Sequence, residues 1–250
     1  MLTGILVTGG AVAMVAVLIA LTDRYAGDRR TADHDVASAI FSMVGVLYAI
    51  LLAFVVIVVW EAFSAVSDHA QAEANHVSRI YFTARALPEP QRSHLIGLAN
   101  DYASTVVSQE WPAMRDGTTS PQARGQVARM RTEAMSLRPA DANQEILMAQ
   151  TLDAINALVD ARRLRTAAIE SPVPGIMWVG LIAGATVAVG FTFFFGYGRL
   201  GPQLLMVAGM TALLAFTLWL TYEMSYPYSG PTGIQPHAFH TILDRFREFS

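Results

Sequence analysis

The sequence predicts an all-α integral membrane protein with four transmembrane helices, two on either side of a long helical aqueous insert. Three observations carry that prediction. Uncharged apolar runs of about 20 residues lie near 4–21, 36–60, 176–195 and 203–222. At about 1.5 Å rise per residue, each is long enough to cross a hydrocarbon core of about 30 Å. Between the second and third runs the chain turns polar for about 110 residues, and the apolar positions there recur every three or four residues, as in amphipathic helices. No alternating β pattern and no internal repeat competes. The expected organisation is 1–60 for helices one and two, 61–173 for the insert, 174–225 for helices three and four, and 226–250 for a tail.

Helix one, 4–21, is rich in small residues and lacks a basic stretch before it, so it reads as a retained helix rather than a signal peptide. A charged link follows, with Asp23, Arg24, Asp28, Arg29, Arg30, Asp33 and Asp35; Asp35 suits the N-cap of helix two. Helix two carries no charge from Val36 to Trp60, whose ring fits an aromatic belt, and meets Glu61 at the interface. Helicity is expected to continue. Phe63, Val66, Ala70, Ala74, Val77, Tyr81, Ala84 and Leu87 form one apolar face, no Gly or Pro intervenes, and Pro88 and Pro90 end the rod. The insert and second helix thus read as one continuous element from Val36 to Leu87.

Within the insert a second helix is expected over 91–109, with Leu95, Leu98, Tyr102 and Val106 inward and Glu110-Trp111-Pro112 as its end. Ser120-Pro121 reads as the N-cap and first turn of a third, short helix. Asp141 and Gln144 resemble a capping box opening a fourth over 142–169, with Met148, Leu152, Ile155 and Val159 apolar. Ser171-Pro172-Val173-Pro174 is the hinge into helix three. That helix holds Gly180 and Gly184 at close-packing spacing. A tight turn at 198–202 makes helices three and four a hairpin. The tail ends in a short amphipathic helix carrying Phe239, Ile242, Leu243, Phe246 and Phe249.

Composition removes several functions. The chain has no cysteine, which excludes disulfides and thiolate metal sites. Its formal net charge of −3 gives no electrostatic case for nucleic acid. All 17 basic residues are arginine. No nucleophile–base order, phosphate loop or membrane-buried ionisable pair is visible, so the reading is no enzyme, no cofactor and no proton pump. An uncharged wall is compatible with a pore that gates by dewetting.

Four features are candidates for function, each with a plainer alternative. His69, Glu73 and His76 share a helix face within an arc of about 60°, a spacing able to present three metal ligands or to form the polar rim of a helix contact. Glu110, Trp111 and Pro112 form either a packed plug or a ligand or gating element. Arg162, Arg163 and Arg165 either draw anions to a vestibule or contact headgroups and pair with acids such as Glu73 or Glu110. On helix two, Ser42, Gly45, Ala49 and Ala53 make a small-residue stripe suited to packing. Phe41, Tyr48, Leu52, Val55 and Val59 make a bulkier stripe that either lines a narrow neck between subunits or packs on helices three and four.

Several of these segments together carry a family resemblance. The run Val44-Gly45-Val46-Leu47-Tyr48-Ala49-Ile50-Leu51-Leu52-Ala53-Phe54-Val55, then Trp60-Glu61, Glu73-Ala74, Leu87-Pro88, Tyr102-Ala103, Glu110-Trp111-Pro112, Ala161-Arg162-Arg163 with Arg165, Pro174 with Trp178, and Pro227-Tyr228-Ser229-Gly230 resemble the bacterial bestrophin-like family over nearly the whole chain. The resemblance implies a homo-oligomer, pentameric by analogy, with an anion-preferring channel necked by helix two and a cytoplasmic insert. This sequence departs from bestrophins in lacking a tail run of consecutive acids like their calcium clasp.

With four crossings the termini and insert share one side. Arg162, Arg163 and Arg165 favour the cytoplasm; Arg24, Arg29, Arg30 and Arg199 argue the other way. The resulting expectation is a multi-pass protein of the bacterial inner membrane whose partners are lipid, its own copies and small inorganic ions. The alternative is a non-conducting scaffold or sensor whose insert binds a partner.

Overall fold

The structure, a computed structural model, describes residues 6–15, 17, 34–192, 200–230 and 232–249. The helices in chain order are α1 (Leu6–Val15), α2 (His34–Ala84), α3 (Gln91–Thr105), a π-helical turn (Val106–Glu110), α4 (Trp111–Arg115), α5 (Pro121–Ser136), α6 (Ala142–Ala167), α7 (Gly175–Phe191), α8 (Leu200–Met224) and α9 (His237–Glu248). The charged link at 23–33, Arg24, Arg29, Arg30 and Arg199, and the start of the 198–202 turn lie outside the described residues. Asp35 falls inside the first turn of α2 rather than ahead of it.

The chain divides into two compact units, Met1–Glu61 with Pro172–Ser225, and Ala62–Ser171 with Tyr226–Ser250. In the first, two helices are long and apolar enough to cross a membrane, and only 22% and 17% of their most apolar stretches are buried. A core helix of a soluble protein would hide that surface; here it faces outward, as a membrane-associated fold requires. α1 and α7 are shorter apolar helices. The core of this unit is Tyr48, Leu52, Val55, Val59, Val173 and Leu181.

The second unit is a helical body around the lower part of α2. Its buried stripe, Val66, Ala70, Ala74, Val77, Tyr81 and Ala84, follows the helical period. Amide bonds from Ala86 to the Thr83 carbonyl and from Leu87 to the Ala84 carbonyl close α2 before Pro88. α3 does not run to residue 109 as one α-helix. Its ladder widens into the π turn and α4 continues to Arg115. Pro112 is the cause: it has no N–H to donate to the preceding turn, and an extra residue in that turn absorbs the mismatch.

Ser120 caps α5, its Oγ accepting from the Ala123 amide at 3.4 Å. Asp141 Oδ1 accepts from the Gln144 amide at 2.8 Å, and Gln144 Oε1 accepts in return from the Ala140 amide at 3.0 Å, one residue earlier than the usual capping box. Val159 points outward, unlike Ile155 on the same helix. α9 belongs to this unit rather than standing apart: Phe239, Ile242, Leu243 and Phe246 enter its core.

Candidate functional site

The upper part of α2 presents three faces. Tyr48, Leu52, Val55 and Val59 are buried against α7 and α8. The Tyr48 hydroxyl donates to the Leu181 carbonyl at 3.0 Å. Its ring fits because Gly184 has no side chain; a Cβ there would lie 2.5 Å from the Tyr48 ring. Phe41 is half-buried, 6.2 Å from the Phe191 ring. The bulky stripe therefore packs on α7 and α8, the second of its two readings, and forms the seam of this unit.

The small-residue stripe exchanges roles with it. Ser42, Ala49 and Ala53 are exposed and Gly45 is half-buried. Gly45, Ala49 and Ala53 border an apolar groove of about 370 Å³ opposite Met210, Leu213 and Thr217. Gly180, expected beside Gly184 in packing, is exposed, and a Cβ added there would meet nothing within 4 Å outside its own helix backbone. On the third face Val46, Ile50, Phe54 and Ile57 are 59%, 49%, 65% and 52% exposed. At about 100° per residue they lie roughly opposite the buried seam.

Lower on α2, the insert motif residues converge. Glu73 comes from α2, Glu110 from the π turn and Arg165 from α6, and the side chains of all three are fully buried. Arg165 Nη2 donates to Glu73 Oε1 at 3.0 Å and to Glu110 Oε2 at 2.7 Å, and its Nε donates to Glu73 Oε2. Arg162 pairs with the other oxygen of Glu110. The Tyr102 hydroxyl donates to Glu73, and that of Tyr228 to the Arg165 carbonyl at 2.7 Å. The guanidinium also lies 5.3 Å from the Trp111 ring centre and 5.8 Å from that of Phe239. Trp111 donates its indole N–H to the Ile234 carbonyl at 2.8 Å.

Two carboxylates and two guanidinium groups thus close on one another without net charge. An isolated buried charge would cost several kcal/mol, so the set holds only because each member is paired and hydrogen-bonded. Burial works against the Arg165 cation, but Glu73 and Glu110 outweigh it and hold its pKa well above the ordinary value. Burial first, then the Glu73 carboxylate, raises the Tyr102 hydroxyl well above its ordinary range, and burial likewise raises Tyr228. At neutral pH both hydroxyls stay donors. The arrangement is a lock joining α2, the π turn, α6 and the tail loop, in which both carboxylates are paired with guanidinium groups.

For two of the candidates this geometry favours the plainer of the alternatives. Glu73 has both oxygens engaged, and among the described residues no group of three potential ligands can hold a metal. His69 and His76, each half-buried, are therefore rim residues rather than ligands. Of the three arginines only Arg163 is exposed, so Arg162 and Arg165 do not face a vestibule. Pro112 sets the π turn that carries consecutive Glu110 and Trp111 inward. Sequence reasoning missed the partners Tyr102 and Tyr228, although both lie in segments that carry the family resemblance. It also missed the outward face at Val46, Ile50, Phe54 and Ile57, because every residue around this helix is apolar or small.

The bestrophin-like domain matches residues 9–239. Among solved structures, a point variant of a bacterial bestrophin homologue from Klebsiella pneumoniae superposes with a TM-score of 0.72 at 15% identity, covering 97% of each chain. A bestrophin homologue from the same organism, phased on zinc, gives 0.72 at 15% identity over 97% of this chain and 96% of that one. A membrane-protein variant gives 0.73 at 13% over 98% and 97%. At such identities the likeness is one of fold. No curated protein matches the sequence.

Proposed function

This chain belongs to the bestrophin-like family, and on that footing we propose that it assembles with its own copies into a passive ion channel of the bacterial inner membrane. In this reading α1, α2, α7 and α8 cross the bilayer, with the insert and both termini in the cytoplasm. Copies form a ring, pentameric by analogy, around an axis lined by α2. The partners are lipid, the other subunits and small inorganic ions, with no nucleic acid and no catalysis.

One observation carries the proposal. The uncharged part of α2 buries a single face inside its own subunit and leaves Val46, Ile50, Phe54 and Ile57 outside. In the ring proposed here, that face points to the axis and the flanks meet neighbours. Those four side chains then form an apolar neck that conducts when wetted and closes by dewetting. The buried Glu73–Arg165–Glu110 lock supports the same reading by fixing the lower stretch of that helix.

Purified protein in salt-loaded liposomes is expected to release ions, and Phe54→Ala, which widens the neck, to raise the flux about tenfold or more. A ring that assembles but passes no ions at any pH or calcium level would overturn the channel and assign the non-conducting scaffold instead.

A further inference from the structure

A second groove lies wholly within the insert unit, between α3 and α5. Three side-chain contacts set the register of the two helices. Gln91 Nε2 donates to Ser136 Oγ at 3.3 Å, His94 Nδ1 lies 3.0 Å from Glu133 Oε1, and Gln126 Nε2 donates to Thr105 Oγ1 at 2.9 Å. Partners on α5 fall in number as those on α3 rise, so the helices run antiparallel. Asp101 stands about one turn before Thr105, and Arg129 about one turn beyond Gln126, which brings the two opposite each other. Between this pair and the His94–Glu133 contact the seam opens into a groove of about 490 Å³, with Gly97 and Leu98 on its α3 side. A Cβ at Gly97 would meet nothing within 4 Å, so this stretch of the groove is unfilled.

The charges around the groove are not satisfied by one another. Among the described residues the side chains of Asp101 and Arg129 make no ion pair or hydrogen bond, although the register sets them face to face. Glu133 is only 23% exposed; its Oε1 meets His94, and its Oε2 has no partner among the described residues. The groove thus presents two carboxylates and one guanidinium. Arg129 and Glu133 are one turn apart, about 6 Å along α5.

The complement of this set is a carboxylate for Arg129, a cation beside it for Asp101, and a second cation about 6 Å away for Glu133. A basic α-amino acid has that layout. Its ammonium and carboxylate share one carbon, and the four-carbon stem of lysine spans about 6 Å when extended, its apolar length suited to Leu98. We infer that the α3–α5 groove binds a free basic α-amino acid, with its α-carboxylate on Arg129, its α-ammonium on Asp101 and its side-chain cation on Glu133. The site lies in the insert alone and does not depend on the channel reading.

The test is calorimetric titration of the full-length protein in detergent with L-lysine. Binding is expected in the millimolar range. Cadaverine lacks the carboxylate and L-norleucine lacks the side-chain cation, and each is expected to bind about tenfold more weakly. Arg129→Gln, Asp101→Asn and Glu133→Gln are each expected to weaken L-lysine about tenfold, with the unfolding midpoint of the ligand-free protein little changed. Glu133→Gln keeps an oxygen for His94. No binding of L-lysine, equal binding of cadaverine or L-norleucine, or an affinity unmoved by Arg129→Gln overturns the site. A protein that binds L-lysine in this way but passes no ions leaves the site standing and overturns the channel.

Discussion

In the unit built from α1, the upper part of α2, α7 and α8, large apolar side chains lie outside: Met43, Phe54, Ile176 and Leu205 are 70%, 65%, 77% and 77% exposed. In the insert unit the order is reversed, and even the charges are inside, with Arg165, Glu73 and Glu110 fully buried beside Trp111 and Tyr102. The insert resembles an ordinary water-soluble core, sealed by ion pairs. The bundle holds together through the narrow seam of α2 with a smaller cluster at Val15 and Val207, and leaves most of its apolar surface outside. Stability in the insert is therefore a matter of charge pairing, and in the bundle a matter of fit at a few close contacts.

The largest break in this contrast is Arg165→Met. It strands the Glu73 carboxylate, leaves Glu110 with Arg162 alone, and is expected to cost about 3–5 kcal/mol, seen as a lowered unfolding midpoint in detergent. Replacing Glu73 by leucine in the same background, with the Arg162–Glu110 pair kept, is expected to recover much of that loss, since a well-packed apolar contact rivals a buried ion pair. Failure to recover would mean that the network is needed for more than charge balance. Next comes Gly184→Val, which drives a side chain into the Tyr48 ring and is expected to cost about 1–3 kcal/mol by splitting the α2–α7 seam. Its signature is loss of bundle stability with the insert's near-ultraviolet signal unchanged.

Alkaline titration separates the units more finely. Tyr102 and Tyr228 ionise at higher pH in the folded insert than the ordinary value of 10.0. Above pH of about 10 the unfolded chain releases these protons first. Stability then falls as pH rises towards the folded values, by up to about 1.4 kcal/mol per pH unit for each tyrosine. The double change Tyr102→Phe with Tyr228→Phe is expected to flatten that fall, measured by urea unfolding at pH 9 to 11. Smallest is Tyr48→Phe, which removes only the 3.0 Å bond to the Leu181 carbonyl and keeps the ring in place. It is expected to cost about 0.5–1.5 kcal/mol. A larger loss would mean that the seam depends on polarity as much as on shape.

Much of this was legible in the chain itself. The period of Val66, Ala70, Ala74, Val77, Tyr81 and Ala84 placed the lower α2 face in a core, and it is there. Ser120 and Asp141 announced their helices through side chains that can do little else in those positions. Pro112 signalled an interruption, but whether the chain stopped or widened depended on Glu110 and Trp111 finding partners on α6 and the tail. Glu73, Glu110 and Arg165 were visible as charged residues in an otherwise helical insert. Their pairing was one of two readings the sequence left open, and only the fold, which joins residues up to 92 positions apart, chose it and added Tyr102 and Tyr228.

The two stripes of the upper α2 mark the boundary most clearly. The sequence by itself determined that this helix is long, uncharged and continuous past Trp60, because hydropathy and the absence of Gly and Pro are local properties. It could not say which apolar face turns inward, because in a segment where every side is apolar the hydrophobic pattern is degenerate. Only the tertiary structure decided that, through the fit of the Tyr48 ring into the space left by Gly184. That contact turned Tyr48, Leu52, Val55 and Val59 towards α7 and α8 and left Val46, Ile50, Phe54 and Ile57 facing out.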